Sequence, residues 1–226
     1  MFKPFTASVL AAACIAASSS AMAGDWFAGA AIGTVKQDIS VKEGGEKATY
    51  PSDRNVAGKL DDPGFGALRL GQYLNENVRV YATLGTGSVK ASESGALPGI
   101  SYKETYKVEN REFSFSADYV DNLFSMQTTK YFVGGTLGMN QMEAEFKGAY
   151  QVSNSAQSEK GSKKDNALVY GVQLGLIQEL GEHFSAELGY RYTKMNNSVK
   201  FNVDGDQYKF KLKDQKLTYL AINYHF

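Results

Sequence analysis

Cysteine is nearly missing from this 226-residue chain, with Cys14 its one copy. That excludes an intramolecular disulfide framework and any cysteine-rich metal centre. Histidine occurs twice, at His183 and His225, too few for a zinc site of three or four ligands. Neither sign of charge is in excess, with 24 Lys+Arg against 24 Asp+Glu. The basic surplus that phosphate backbones call for is therefore lacking, which argues against nucleic acid as the main partner. Proline is scarce, at 4 residues. Beyond Ala23 there is no run of 18 apolar residues, so no transmembrane helix is encoded there.

What is abundant points to strands. Glycine (23), tyrosine (14) and phenylalanine (13) are frequent, and 43% of residues are hydrophobic, a mixture that favours strands and tight turns. Met1–Ala23 has a basic start at Lys3, a small-apolar run through Val9, Leu10 and Ile15, and the pattern Ala21-Met22-Ala23 before Gly24. It reads as a cleaved secretory signal. A lipoprotein signal ending at Ala11-Ala12-Ala13-Cys14 is the rival, and it lacks the larger aliphatic residue preferred three before the cysteine. Residues 24–226 then form one domain, secreted without a cysteine, as suits an oxidising compartment.

A two-residue period runs through that domain, and it is the period of a strand. Thr218, Leu220, Ile222, Tyr224 and Phe226 share one face, opposite Leu217, Tyr219, Ala221, Asn223 and His225. Phe184 to Thr193, Leu168 to Ile177, Lys130 to Met139, Phe113 to Tyr119 and Val78 to Gly85 alternate in the same way. Trp26–Val35 and Phe65–Leu74 are less regular members of the set. This gives eight strands. The connections at 41–63, 75–77, 91–110, 121–127, 147–165, 181–183 and 196–213 alternate long and short. An even strand number with alternating connections predicts an all-β, eight-stranded, antiparallel up-and-down transmembrane β-barrel, with short periplasmic turns and long extracellular loops. Closure removes the unpaired edges that lipid cannot satisfy. One face carries Arg69, Arg79, Asp118, Lys130, Glu187 and Arg191; both signs are present, so these are expected to pair as a luminal charge network. The opposite face is nearly uncharged and rimmed by aromatics, as a lipid-facing band should be.

Three stretches carry a family resemblance: the aromatic end Tyr224-His225-Phe226, the run Gly189-Tyr190-Arg191-Tyr192, and the start Trp26-Phe27-Ala28-Gly29-Ala30-Ala31-Ile32-Gly33. They are similar to the small outer-membrane β-barrel family that includes the transmembrane domain of OmpA, OmpX and the opacity-type surface proteins. The resemblance implies residence in the outer membrane of a Gram-negative bacterium, and it makes Phe226, with Tyr224, the signal read by the barrel-assembly machinery. It does not select an activity, because one fold serves structural proteins, adhesins and a few enzymes.

Other motifs fare less well. Gly24-Asp25-Trp26 matches a lipocalin start, but a lipocalin has its apolar face inside and its polar face outside, the reverse of this alternation. His183-Phe184-Ser185 resembles the H-x-S of outer-membrane lipid A deacylases, in which histidine is base to a serine nucleophile. The strand count puts it at a periplasmic turn, away from the outer leaflet. No cofactor is implied. Val203-Asp204-Gly205-Asp206 is a hairpin signal, and alternation on both sides of it predicts a ribbon protruding past the membrane. Ile100–Val108 reads as a second such extension. Lys200, Lys209, Lys211, Lys213 and Lys216 cluster near the outer rim, where lipopolysaccharide phosphates are the expected contact. The first and third long connections are rich in Gly, Ser, Glu, Lys and Asp, and are expected to be mobile. The expected function is monomeric, non-catalytic display of these outer segments to host, matrix or envelope surfaces. A narrow ion-conducting pore is the alternative, followed by a lipid A-modifying enzyme.

Overall fold

Alternation becomes strand from Trp26 onward. The computed structural model describes residues 26–43, 46–47, 64–97, 100–152, 155–203 and 206–226. The signal segment, the first long connection through 48–63, and the turn pairs Pro98-Gly99 and Asp204-Gly205 lie outside the described residues. In chain order the strands are β1 (Trp26–Glu43), β2 (Glu46–Lys47), β3 (Gly64–Asn75), β4 (Val78–Leu97) and β5 (Ile100–Asn122). They continue with β6 (Thr129–Val152), β7 (Ser155–Glu179), β8 (Phe184–Val203) and β9 (Asp206–His225). Apart from the two-residue β2, which borders β1, eight strands make the wall, each antiparallel to the next, and β9 pairs with β1 to close it.

The register fixes the geometry of the closure. A paired row starting at Val120 passes through Phe132, Gly175, Gly189, Tyr219, Gly33, Phe65 and Gly87. It returns to β5 at Asn110, ten residues from where it began. A ten-residue stagger over eight strands corresponds to a strand tilt of about 40° and an interior just wide enough for its own side chains. Side-chain exposure follows the two-residue period. Phe132, Val120 and Leu217 are buried inside, while Phe115, Leu137, Val172, Leu174 and Leu220 stand outward and exposed. Between Asn166 and Gln178 the outward positions of β7 are all apolar (Leu168, Tyr170, Val172, Leu174, Leu176). Such a band measures roughly 25 Å once tilted, the height of a bilayer's hydrocarbon zone.

The strands do not stop where that band stops. The β4–β5 ladder runs to Leu97↔Ile100, the β6–β7 ladder to Val152↔Ser155 and the β8–β9 ladder to Val203↔Asp206. The expected ribbons are therefore present, but the expectation of long loops at 91–110, 147–165 and 196–213 is corrected: most of these residues are paired strand. Outside lipid both sheet faces meet water, so a polar strand loses its apolar alternation and looks like loop in sequence. Within 147–165 the described residues belong to the β6–β7 ladder rather than to an irregular connection.

Beyond the band the wall divides. Among the described residues, β7 and β8 share no pair past Val169↔Met195, and β3 ends against β1 and β4 at Gly64. What continues is a four-stranded set, β4–β7, and a second set built from β8, β9, β1 and β2. Asp165 marks the fork. Its carboxylate accepts the Ser198 backbone N–H at 2.7 Å, and its main-chain carbonyl accepts the Asn197 amide at 3.3 Å. Close by, β9 bulges at Lys213 and Asp214, so Leu212 and Gln215, three apart, are both buried.

Candidate functional site

Inward positions of six strands converge on one charge network. Glu187 on β8 bridges two arginines: Arg69 Nη1 donates to its Oε1 at 2.9 Å and Arg79 Nη1 to its Oε2 at 2.9 Å. Arg79 Nε also donates to Asp118 at 3.0 Å. Tyr219 OH donates to Glu187 at 2.8 Å, and Gln173 Nε2 reaches both Asp118 and the Tyr81 hydroxyl at 2.6 Å. Aromatic faces sandwich the guanidinium groups, Arg79 over Phe132 at 4.7 Å and Arg69 over Tyr219 at 4.9 Å. These cation–π contacts solvate charge where water is excluded. Arg79 and Glu187 are each 1% exposed. Nearer the fork Arg191 pairs with Glu112 at 2.8 Å, and Ser114 donates to the same carboxylate at 3.0 Å.

Glycine makes room for this packing. A Cβ on Gly134 would stand 2.0 Å from Asp118 Oδ1, and one on Gly189 would stand 2.2 Å from the Tyr219 ring. Only a residue without a Cβ lets those side chains lie flat against the opposing strand. Beneath the charges Phe27 packs against Tyr73 and Tyr81 with ring centroids 5.8 and 5.9 Å apart. Above them Met142, Val169, Met195 and Leu212 form a buried apolar cluster beside the fork. The lumen is thus filled at three levels.

Five of the six residues expected in the lumen are buried there in ion pairs: Arg69, Arg79, Asp118, Glu187 and Arg191. Lys130 is the correction. It sits at the short-turn end and pairs with Glu179 at 2.5 Å, both partly exposed, because β6 leaves the barrel at that height. Sequence reasoning missed Glu112, which continues the inward parity of Ser114, Ser116 and Asp118. It also missed Gln173, Tyr81 and Tyr219, uncharged residues on a face searched for charges. The serine of the H-x-S resemblance meets a different histidine. Ser185 lies 2.9 Å from His225 Nε2, on the neighbouring strand, whereas His183 Nδ1 lies 3.3 Å from the His225 carbonyl oxygen. Ser185 is 1% exposed. Among the described residues no three His, Cys, Asp or Glu are grouped to hold a metal.

A closed eight-stranded wall with a charged interior and an apolar exterior is one side of the identification; family comparison is the other. The outer membrane protein beta-barrel domain family matches residues 6–218. The chain belongs to this family. Among solved structures it resembles the outer membrane protein OprG from Pseudomonas aeruginosa, with a TM-score of 0.57 at 13% identity over 90% of this chain and 96% of that one. Neisserial surface protein A (NspA) aligns with a TM-score of 0.48 at 12% identity, over 89% and 97% of the two chains. The outer membrane protein H (OprH) of P. aeruginosa aligns with 0.45 at 23%, over 89% and 99%. No curated protein matches the chain in sequence.

As a member of this family the barrel resides in a Gram-negative outer membrane, with its short turns periplasmic and its long ladders extracellular. Tyr224 and Phe226 then lie at the periplasmic rim, stacked with ring centroids 6.1 Å apart, and the Phe226 N–H donates to the Trp26 carbonyl at 3.0 Å. At the other end Lys213 and Lys216 are exposed. Lys216 stands opposite Lys36 and Tyr192, Lys209 opposite Lys42 and Lys200, and Lys211 opposite Ser40 and Ser198.

Proposed function

We propose that this protein is a non-catalytic display barrel, in which the membrane-embedded wall anchors two projecting sheets that meet surfaces outside the cell. The observation carrying this reading is strand length. Strands β5, β6 and β7 have 23, 24 and 25 residues, whereas a membrane-spanning strand needs about 9–11. Roughly half of each strand therefore stands outside lipid, held as a paired ladder. A ladder presents side chains at fixed spacing with little ordering entropy left to lose on contact, which favours binding by preorganisation. Of the lysines near the outer rim, Lys213 and Lys216 belong to the base of that surface, within reach of anionic headgroups, and Lys209 and Lys211 follow further along β9. At the opposite rim, Phe226 and Tyr224 serve recognition by the assembly machinery.

The test is removal of the ribbon. Deleting residues 199–210 and closing β8 to β9 with a short turn should leave the barrel heat-modifiable in gels and abolish adherence to host-cell or matrix-coated surfaces. Full adherence by a folded deletion variant sinks the reading. The pore alternative is addressed separately in planar bilayers. The Arg79–Glu187–Asp118 layer spans the lumen, so the wild-type barrel should be silent. Steady, reproducible current would favour the pore instead. A lipid A-modifying activity is tested with Ser185→Ala, for which unchanged lipid A acylation is expected.

A further inference from the structure

The lipid-facing wall contains a trench. Tyr192, Val172, Gly135 and Ala117 occupy one register row from β8 across β7 and β6 to β5. The next row towards the extracellular side places Tyr170, Leu137 and Phe115 on β7, β6 and β5. These three stand 52%, 56% and 60% exposed. Glycine and alanine beneath such side chains leave a groove floored by Ala117 and Gly135 and walled by Phe115, Leu137 and Tyr170, with Lys194 at its upper end. From β8 to β5 the row crosses three strand spacings, about 14 Å. At a strand tilt of about 40° that path descends about 9 Å through the hydrocarbon.

Charge at the upper mouth indicates the occupant. Lys194, Lys216 and Lys36 are exposed on β8, β9 and β1, each just beyond the apolar band. Lys216 and Lys36 are directly opposite one another in the ladder, an arrangement that repels unless an anion lies between the two ammonium groups. Asp214, half-buried opposite Lys194, is the acid in their midst, and three cations around one carboxylate leave the mouth positive. A positive mouth just beyond the apolar band, opening into an apolar trench that slants down the wall from it, fits a phosphorylated, acylated lipid. We propose that the trench binds one acyl chain of an outer-leaflet lipopolysaccharide molecule, with a phosphate of that molecule among Lys194, Lys216 and Lys36.

Gly135 provides a clean test. A Cβ there meets only the Gly171 carbonyl oxygen, at 3.7 Å, an ordinary contact, whereas one on Gly134 next to it would collide with Asp118. Gly135→Phe therefore fills the trench without disturbing the lumen. Purified barrels in a maltoside detergent would be titrated with diphosphoryl lipid A and read by native mass spectrometry. Wild type should retain one lipid A per barrel. Gly135→Phe should lower its occupancy about ten-fold, and the double variant Lys194→Gln, Lys216→Gln should lower it as well. Leu220→Phe, on β9 outside the trench, serves as the control and should retain full occupancy. Ala117→Leu fills the same floor and replaces Gly135→Phe should that variant not show the heat-shifted band of a folded barrel. Equal lipid A retention by folded trench-filling variants overturns the proposal. So does loss with the lysine variant alone, which would mean a surface phosphate contact without a chain site. Equal competition by phosphatidylethanolamine would make the groove an ordinary lipid contact, and would overturn it too.

Discussion

Below the Val169↔Met195 pair the molecule is one closed wall; above it, among the described residues, every wall strand but β3 continues and the pairing splits into two sets. Strand composition changes at that height as well, from apolar alternation in Leu168–Leu176 to the polar run Gln157–Lys164. The contrast shows what lipid demands and water does not. Within hydrocarbon every backbone N–H and C=O needs a protein partner, so the sheet must close on itself. In water an edge strand is solvated, and lysines along it keep other chains from pairing with it. The fork is therefore a boundary between two solvents drawn in hydrogen bonds, with Asp165 holding the first unpaired turn.

The largest effect should come from the closed part. Glu187→Ala removes the shared partner of Arg69 and Arg79, leaving buried Arg69 without a carboxylate and Arg79 with Asp118 alone. The expected loss is about 3–5 kcal/mol, read as a lower urea midpoint for the folded barrel in detergent micelles. Next is the lipid-facing side: Val172→Lys puts a charge near mid-bilayer and should cost about 2–4 kcal/mol. The same change at Ala149, on the extracellular ladder, should stay within about 0.5 kcal/mol. Similar costs at the two positions would erase the distinction drawn here. Asp165→Ala tests the fork itself. It removes the acceptor for the Ser198 N–H, so about 1 kcal/mol should be lost, and that amide should exchange with deuterium faster while Gly171 and Gln173 remain protected. Smallest of all is the exposed Lys164–Glu143 pair at 3.2 Å; Lys164→Gln should change stability by less than about 1 kcal/mol, measured in the same urea titration.

How well the sequence foretold these regions follows the same division. In lipid, alternation is enforced by the environment, so strand number, faces and five of the six luminal charges could be read directly. Lys130 was misplaced because parity tells which face a residue takes but not its height, and height depends on where each strand leaves the membrane. Glu112 lies one inward step beyond Ser114, just outside the segment where apolar Phe113 and Phe115 made the alternation visible. The ladders from 147 to 165 were read as loop because Ser, Lys and Glu on both faces erase the period-2 signal. Their pairing comes from continuing the register of β6 against β7, information held by the neighbouring strand. The Ser185–His225 contact was equally hidden, since it joins residues that are 40 apart in sequence and adjacent only across β8 and β9.

The ten-residue stagger bears on how the chain reaches its folded state. Because each paired row climbs as it circles the wall, the central charge layer takes Arg69 from β3, Arg79 from β4, Asp118 from β5, Glu187 from β8 and Tyr219 from β9. No two or three neighbouring strands can complete it. Until β9 zips against β1, at least one of these charges lacks its counter-ion and has reason to keep its hydration. Dehydration of the lumen and joining of the first and last strands are thus a single event, and a half-wound sheet has no energetic foothold inside the bilayer. Timing of membrane entry is written into the register itself.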